Sequence, residues 1–322
     1  MILASLLGIL ALYYSTIQPD WLRLGSVLLL AALAGIAAIA MPFRRGVVVW
    51  SLIAAALVIW YVRDRPLNDR DWAPEYAVAA TASRTGKEVS FQHIRDFAYR
   101  SETDFTPAYY DASFSLDDLD SLDLISSYWS GDAIAHVFLS FGFKDGRHLA
   151  FSIETRRQNR FTYSTLAGFF HHYELFYVVA DERDLIGVRT DIRRERVYLY
   201  RLHTTPSVRE TLFLSYVDKV AQLAQHPEWY NTLTDNCTTG ILARANARSG
   251  AARYNWRILL SGYAAQYAYM QGLLNRALPF AELRQQSLLV RPPSATIDAN
   301  FSQEIRKSLP LAGTLGQIGA QP

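Results

Sequence analysis

The chain lacks the side-chain groupings that form most metal and redox centres. Among its 322 residues there is one cysteine, Cys237, which excludes an internal disulfide framework and a cysteine-rich metal site. No His-Glu-x-x-His or His-x-x-x-His pattern is present, and neither is a Gly-rich phosphate loop or a Gly-x-Ser-x-Gly nucleophile elbow. The net charge of +2 provides no strong field for nucleic acid. We therefore predict no metal, no cofactor and no nucleic-acid partner.

The apolar residues, which make up 50% of the chain, are concentrated at its beginning. No charged side chain occurs in residues 1–17, and two further apolar runs cover residues 24–43 and 47–62. A helix needs about 20 apolar residues to cross the hydrocarbon core of a bilayer. We predict three transmembrane helices in residues 1–65, followed by a soluble domain in residues 66–322. A signal peptide is the competing interpretation of the first run, but its basic start is missing.

The orientation of these helices follows from the loop between the second and third runs. Arg44 and Arg45 make this short loop basic, and basic loops stay in the cytoplasm. The third helix then leaves the membrane on the opposite side. We predict a protein of the bacterial inner membrane whose C-terminal domain lies in the periplasm.

Cys237 lies where a polar segment meets an apolar-periodic run. Asp235 or Asn236 is suited to cap a helix, which would place the thiol in the first helical turn. The helix dipole there favours the reactive thiolate. A small buried side chain is the usual state of a lone cysteine, but the polar neighbours favour a nucleophile. Such a nucleophile needs a base within hydrogen-bonding reach and a third group that orients the base.

A predicted β-hairpin supplies a candidate base. Its two alternating strands cover residues 135–143 and 147–154, on either side of Lys144-Asp145-Gly146. A two-residue loop would place Val137 opposite Glu154, whereas a three-residue loop with a left-handed Gly146 places His136 there. We predict the three-residue loop and a His136–Glu154 pair. The alternative interpretation is that His136 is a core histidine whose ring nitrogens are hydrogen-bonded and which has no catalytic role.

The rest of the soluble part indicates an α+β domain. Strands are predicted at residues 88–94 and 197–202, a β-rich aromatic segment at 169–179, a helix from the capping box Ser207–Glu210 to Gln225, and helical structure at 256–274. Residues 96–111 have the composition of a packed loop, residues 113–121 that of an acidic turn, and residues 181–184 that of a charged turn. His171 and His172 are predicted to pack among aromatic side chains.

Two sets of charged residues are predicted to lie on the surface, which is the usual position of such residues. Asp117, Asp118, Asp120 and Asp123 lack the spacing and the glycine of a calcium loop, so we predict a solvated acidic face. Eight arginines form a basic belt that is either a solvated face with a few ion pairs or a surface for lipid phosphates. They are Arg156, Arg157, Arg160, Arg183, Arg189, Arg193, Arg194 and Arg196.

Several separated motifs carry a resemblance to a known family. They are Asn68–Trp72, Ile134–His136 with Ser140–Phe143, Ser152–Arg156, Tyr173–Leu175 with Asp181–Asp184, and Asn236–Thr238. In this order they resemble the Lnb N-terminal periplasmic domain family, long described only as a domain of unknown function. The resemblance runs from about Asn68 to Arg306, and the N-terminal helices are an addition to it.

This family is in turn similar to the circularly permuted branch of the NlpC-type, papain-like thiol enzymes, which shares its order of motifs with the lecithin:retinol acyltransferase group. The resemblance implies a papain-like antiparallel sheet with helices. It also implies that Cys237 is the nucleophile, His136 the base and Glu154 the polar third member. As further candidates for oxyanion or substrate support we add Asn236, Thr238, Ser140 and Arg156.

The resemblance implies acyl transfer in the cell envelope. The thiolate would take an acyl chain from a phospholipid and pass it through a thioester to an amine, as in lipoprotein N-acylation, so that phospholipid or lipoprotein is the expected partner. Two alternatives stay open. One is a cysteine amidase or peptidase that acts on peptidoglycan peptides, and the other is a noncatalytic interaction domain with Cys237 buried.

Overall fold

The structure is a computed structural model that describes residues 1–249, 255–292 and 294–310. It divides into two compact units. The first consists of Met1–Ala77, Thr155–Leu175 and His226–Leu233, and the second of Val78–Glu154, Phe176–Gln225 and the chain from Thr234 onward.

The first unit begins with three apolar helices. These are α1 (Ile2–Tyr13), α2 (Asp20–Gly35), which continues as the π-helical turn Ile36–Ala40, and α3 (Phe43–Arg63). Two of them, Asp20–Ala40 and Phe43–Arg63, are long and apolar enough to cross a membrane. Helix α1 has 12 residues and a length of about 18 Å, short of the ~30 Å hydrocarbon core. Length and composition therefore support two of the three predicted spans, and the remaining one, α1, is shorter than these two.

Small residues bring these helices together. A Cβ atom on Gly46 would collide with the backbone carbonyl of Ala37, so glycine allows the tight α2–α3 turn. A Cβ atom on Gly8 would lie 3.1 Å from Leu57 and 3.3 Å from Leu30, which shows how closely α1 approaches its neighbours. The Trp50 indole also donates a hydrogen bond to Ser5 Oγ at 2.8 Å.

The polar part of the first unit is held by buried charge and by stacked rings. Glu174 accepts hydrogen bonds from the Leu67 N–H at 2.7 Å and from Arg70 Nε at 3.0 Å. The His171 ring stacks between Tyr61, 3.8 Å away, and Trp229, 4.7 Å away. The prediction that His171 and His172 are packed is confirmed, since His172 is 6% exposed and burial lowers its pKa to about 4.

The strands belong mainly to the second unit. They are β1 (Thr81–Thr85), β2 (Glu88–Arg95), β3 (Ala98–Tyr99), β4 (Phe105–Thr106), β5 (Tyr109–Ser115), β6 (Leu119–Tyr128), β7 (His136–Phe143), β8 (His148–Arg156), β9 (Glu174–Asp181) and β10 (Arg196–Arg201). Within the described ranges, eight of them form one sheet in the order β1-β2-β9-β8-β7-β6-β10, with β5 also paired to β2. The β2–β9 pair is parallel and the β6–β7 and β7–β8 pairs are antiparallel. The predicted α+β class is confirmed, with a mixed sheet in place of the predicted antiparallel one; the papain-like assignment stays a prediction.

The α-helices of the second unit come after β9 in the chain, and all but α4 come after the last strand, β10. They are α4 (Glu182–Gly187), continued by the π-helical turn Val188–Ile192, α5 (Pro206–Gln225), α6 (Cys237–Ser249), α7 (Trp256–Leu259), α8 (Ala264–Met270), α9 (Phe280–Gln286) and α10 (Phe301–Glu304). Helix α5 buries Phe213 and Tyr216 against Phe141 and Phe151 of the β7–β8 hairpin. These four rings make the apolar core behind the hairpin.

Three sequence predictions were wrong for segments that were assigned as a loop or a turn from their composition. The supposed acidic turn at residues 113–121 includes parts of β5 and β6, and the supposed loop at 96–111 contains β3, β4 and the start of β5. The supposed charged turn at 181–184 opens α4, with Asp181 accepting a hydrogen bond from the Arg183 N–H as the cap.

Helix α5 is capped by Thr205, whose Oγ1 accepts from the Val208 N–H, so the helix begins at Pro206 before the predicted capping box.

Asp123 departs most clearly from the predicted acidic face. Its side chain is fully buried, and it pairs with Arg201 at 2.5 Å and with Arg306 at 2.7 Å. Arg306 also pairs with buried Glu182 at 2.6 Å, which accepts a hydrogen bond from Ser140 at 2.5 Å. Since buried carboxylates need such partners, this network fixes the C-terminal segment onto the sheet.

Candidate active site

The single thiol lies at the beginning of a helix. Cys237 is the first residue of α6 and is partly exposed. Asn236 Oδ1 accepts hydrogen bonds from the backbone N–H groups of Thr238 and Thr239, both at 2.9 Å. The predicted N-cap is therefore confirmed at Asn236, and the sequence around Cys237 favours this start because asparagine satisfies the otherwise unpaired first-turn donors.

The hairpin has the three-residue loop that places His136 beside Glu154. The Phe143 N–H donates to the Arg147 carbonyl at 2.9 Å, and Gly146 has a φ of +86°. The register pairs Leu139 with Phe151, and its continuation along both strands sets His136 opposite Glu154. His136 Nε2 lies 3.1 Å from Glu154 Oε1. The predicted loop and the predicted pair are both confirmed as geometry.

Ser152 completes the arrangement around the imidazole. Its hydroxyl donates to Glu154 Oε1 at 2.7 Å, so its oxygen accepts from His136 Nε2 at 2.6 Å. Nε2 therefore carries a proton that is shared between Ser152 and Glu154. Nδ1 is then the ring nitrogen left to serve the Cys237 thiol, which lies within hydrogen-bonding reach of the imidazole.

The charges of the pair stabilise one another. Burial by itself lowers the pKa of His136, but the Glu154 carboxylate and the hydrogen bond to Cys237 outweigh it and raise the pKa to about 9. Burial raises the pKa of Glu154, whereas His136 and Arg189 together bring it well below its usual range. At neutral pH the site therefore contains an imidazolium paired with a carboxylate.

Arg189 holds Glu154 from the other side. It comes from the π-helical turn after α4, where its side chain is 6% exposed, and its Nη2 lies 3.2 Å from Glu154 Oε1. Its Nη1 donates to the Leu185 carbonyl at 2.7 Å, and its guanidinium lies 5.0 Å from the centre of the Phe138 ring. Such π-helical turns are frequent at functional sites. The predicted belt thus contains one arginine that supports the site.

The other predicted support residues have separate structural contacts. Thr238 is buried and donates from Oγ1 to the Ile258 carbonyl at 2.7 Å, while Asn236 is the helix cap. Ser140 donates to Glu182 in the buried charge network. In the first unit, Arg156 donates to Asn68 Oδ1 at 2.9 Å and lies over the Trp72 ring. Support of a substrate by these four residues stays a prediction.

An apolar segment packs beside the helix that carries Cys237. The segment 255–263 is bound to α6 through the Thr238–Ile258 hydrogen bond and to the start of β7 through Ser261 Oγ, which accepts from the Ala135 N–H at 3.0 Å. This segment exposes half of the Trp256 side chain together with Leu259 and Leu260. Large apolar side chains are therefore presented beside the Cys237 helix.

Sequence reasoning missed Ser152 and Arg189. Ser152 shares a strand face with Glu154, two residues away, so the alternation of the strand could have indicated it. Arg189 is 35 positions from Glu154 and reaches it only through the fold. Among the described residues, no group of three or more His, Cys, Asp or Glu side chains is arranged to hold a metal ion.

These observations define a class of protein: a membrane-anchored α+β domain with a helix-capped thiol beside a histidine–carboxylate pair. The comparison with family models then identifies it. Residues 105–262 match the Lnb N-terminal periplasmic domain, so this part of the chain belongs to that family. The matched range includes His136, Glu154 and Cys237. It is shorter than the range over which the motifs resemble the family, which runs from about Asn68 to Arg306. No curated protein and no solved structure gives a significant match.

Proposed function

We propose that this protein is a membrane-anchored, periplasm-facing thiol acyltransferase. It moves an acyl chain from a phospholipid through a thioester on Cys237 to an amine acceptor, as in lipoprotein N-acylation. One observation carries the proposal: the capped thiol of α6 lies within hydrogen-bonding reach of an imidazole that Glu154 holds at 3.1 Å. A nucleophile, a base and an orienting carboxylate are the parts that covalent acyl transfer needs.

Before the first half-reaction, His136 has taken the Cys237 proton, which leaves a thiolate–imidazolium pair. The thiolate sulfur then attacks the ester carbonyl of the phospholipid. The Cys237 backbone N–H is the proposed donor to the resulting oxyanion, since Asn236 occupies the N–H groups of Thr238 and Thr239. The carbon–oxygen bond of the ester then breaks. The imidazolium returns its proton to the leaving alcohol oxygen, which gives a lysophospholipid and a thioester.

In the second half-reaction, the acceptor amine attacks the thioester carbonyl and the carbon–sulfur bond breaks. His136 removes a proton from the amine, and the product is an amide beside a regenerated thiolate–imidazolium pair. Glu154 and Ser152 hold the imidazole in one tautomer throughout, and the buried Arg189 holds Glu154. The acceptor leaves as the N-acylated product.

Two observations favour an acyl chain as the substrate group. The segment beside the Cys237 helix exposes Trp256, Leu259 and Leu260, which suits a hydrocarbon chain better than a polar peptide. The chain also carries two helices that are long enough to span a membrane, so the domain is tethered where its lipid donor is. A cysteine amidase or peptidase of peptidoglycan is the competing enzyme and needs a polar groove.

The test uses full-length protein in nanodiscs that contain a labelled phospholipid. We expect an acyl adduct on intact protein that neutral hydroxylamine removes and that Cys237→Ala abolishes. A peptide with a free amino terminus should discharge the adduct. Glu304→Gln, an exposed change away from the pair, serves as the matched control and should leave the adduct unchanged.

Two results would reject the proposal. Cleavage of muropeptides without any acyl adduct would support the peptidoglycan enzyme. Failure of Cys237 in native protein to react with iodoacetamide at neutral pH would reject both enzymes and support the interaction domain.

A further inference from the structure

The three N-terminal helices enclose an apolar groove within the first unit. The groove has a volume of about 420 Å³ and is lined by one face of α1, one face of α3, Leu30 of α2 and the rings of Phe169 and Phe170. Ala11 and Ala54 leave space on the two facing helices. Its volume lies within the ~300–1,000 Å³ range of small-molecule sites.

The dimensions of the groove fit one hydrocarbon chain. Along α3 the lining extends from Trp50 to Tyr61, which corresponds to about 16 Å at ~1.5 Å per residue. This is close to half of a ~30 Å hydrocarbon core, and therefore to one leaflet.

The surroundings of the groove are those of a membrane interior. Leu7 of α1 and Val58 of α3 line it and are 52% and 61% exposed. Side chains of this kind are stable on a helix surface when they contact lipid tails. The groove therefore opens toward the hydrocarbon from which a chain would enter.

One end of the groove leads to a pair of arginines. Phe170 stacks on Tyr14 at 5.6 Å, and Tyr14 contacts His172, whose ring lies 4.1 Å from Phe161. The Arg160 guanidinium lies 4.2 Å from the centre of the Phe161 ring. A continuous aromatic path thus connects the groove with Arg160.

Positive charge exceeds negative charge at this end. Arg160 and Arg23 both pair with the single carboxylate of Asp20, at 2.8 Å and 3.3 Å, and that carboxylate is 60% exposed. Burial lowers the pKa of Arg160, and Arg23 and Arg70 lower it further against the opposing effect of Asp20. A phosphate group would relieve this crowding of cations.

We propose that this groove is a phospholipid-binding site, in which α1 and α3 hold one acyl chain and Arg160 with Arg23 holds the phosphate. The helices that hold the acyl chain lie outside the family match at residues 105–262, whereas Arg160, Phe169 and Phe170 lie within it. It goes beyond the proposed function because it needs no chemistry at Cys237. The bound lipid is a structural or regulatory ligand of the anchor in its own right.

The test is photo-crosslinking of the full chain in nanodiscs with a phospholipid that carries a diazirine in its acyl chain. Ala54→Phe fills the groove, whereas Ala56→Phe adds the same ring on the exposed side of α3 and is the matched control. We expect wild-type cross-links on the groove faces of α1 and α3, and a loss of about tenfold, or about 1.4 kcal/mol, in Ala54→Phe only. Ala11→Phe, on the opposite wall, provides a second variant if Ala54→Phe does not fold.

A separate experiment tests the part of the site that binds the phosphate. Arg160→Gln should weaken retention of the phospholipid in native mass spectrometry and leave retention of a diacylglycerol, which has no phosphate, unchanged. Equal cross-linking of Ala54→Phe and Ala56→Phe, or cross-links spread around α3, would overturn the proposal. All arms are repeated in Cys237→Ala, where binding should persist, so that a failure of the groove and a failure of acyl transfer are distinguished.

Discussion

The pairing of His136 with Glu154 makes a quantitative prediction for Glu154→Gln. The carboxylate is the main reason that the pKa of His136 stands at about 9 against the lowering effect of burial. Without it, the pKa should fall to the ordinary value of about 6.5 or lower. At pH 7.5 the imidazolium fraction would then drop from about 97% to about 9% or less. The shift corresponds to about 3 kcal/mol of stabilisation of the imidazolium.

This change can be followed through the thiol, because the chain has one cysteine and alkylation reports Cys237 alone. An unassisted thiol is only about 1% ionised at pH 6.5. Wild-type protein, in which an imidazolium faces the sulfur, should react with iodoacetamide well below pH 7. The Glu154→Gln variant should be slower by at least about tenfold at pH 6.5, and its rate should rise only toward alkaline pH.

Two controls separate this effect from loss of structure. Glu154→Asp keeps the charge and should retain most of the acid-side reactivity, while Glu304→Gln changes an exposed carboxylate and should have no effect. Because Glu154→Gln leaves Arg189 buried without its carboxylate, thermal unfolding must be measured beside the labelling. The reasoning is refuted if folded Glu154→Gln keeps the wild-type pH profile of alkylation.

Three further predictions concern the support of the site and the two units. Asn236→Ala removes the cap of α6 and should lower the free energy of unfolding by about 1 kcal/mol, with a smaller loss for Asn236→Gly, measured by chemical denaturation. Arg306→Gln leaves Glu182 buried without its cation and leaves Asp123 with Arg201 alone, and it should cost about 3–5 kcal/mol in the same measurement, whereas the exposed change Lys307→Gln should cost almost nothing. In the first unit, burial raises the pKa of Glu174 to about 7 against the opposing Leu67 N–H and Arg70. Since its folded-state pKa exceeds the unfolded value, the folded state binds this proton more tightly, and stability should fall by about 3 kcal/mol as the pH rises from about 4.5 through 7. Unfolding measured across this range should lose that slope in Glu174→Gln, and an unchanged slope would contradict the assignment.

The site could be predicted from sequence where its geometry is set by local rules. The N-cap at Asn236 depends on one side chain and the two backbone N–H groups that follow it, so its pattern lies within a few residues. The hairpin is equally local, because loop length fixes register and register decides whether His136 or Val137 faces Glu154. Both loop lengths are common for this sequence, and the three-residue loop was predicted because it pairs His136 with Glu154; in the structure Gly146 has the positive φ that this loop needs.

Charge patterns were poor guides to burial. Asp123, Glu182 and Asp184 lie in segments that resemble solvated turns, yet all three are fully buried. Each is stabilised by an arginine from a distant part of the chain, namely Arg201 or Arg306 for Asp123, Arg306 for Glu182 and Arg95 for Asp184. A polar side chain by itself indicates a surface position. A carboxylate is stable in the interior only when an arginine pairs with it and offsets the free energy of desolvation.

By itself, the sequence determined the apolar N-terminal helices, the α+β class and the His136–Glu154 pair, because apolar runs, alternation and turns are short-range patterns. The family was indicated by the resemblance of several separated motifs. Tertiary structure decided what surrounds them. It brought Arg189 to Glu154, bound the segment 255–263 to α6 through Thr238, and placed the 12-residue helix α1 beside a groove. These contacts join residues that are far apart in the chain, and no local rule specifies which distant side chain will meet a buried charge.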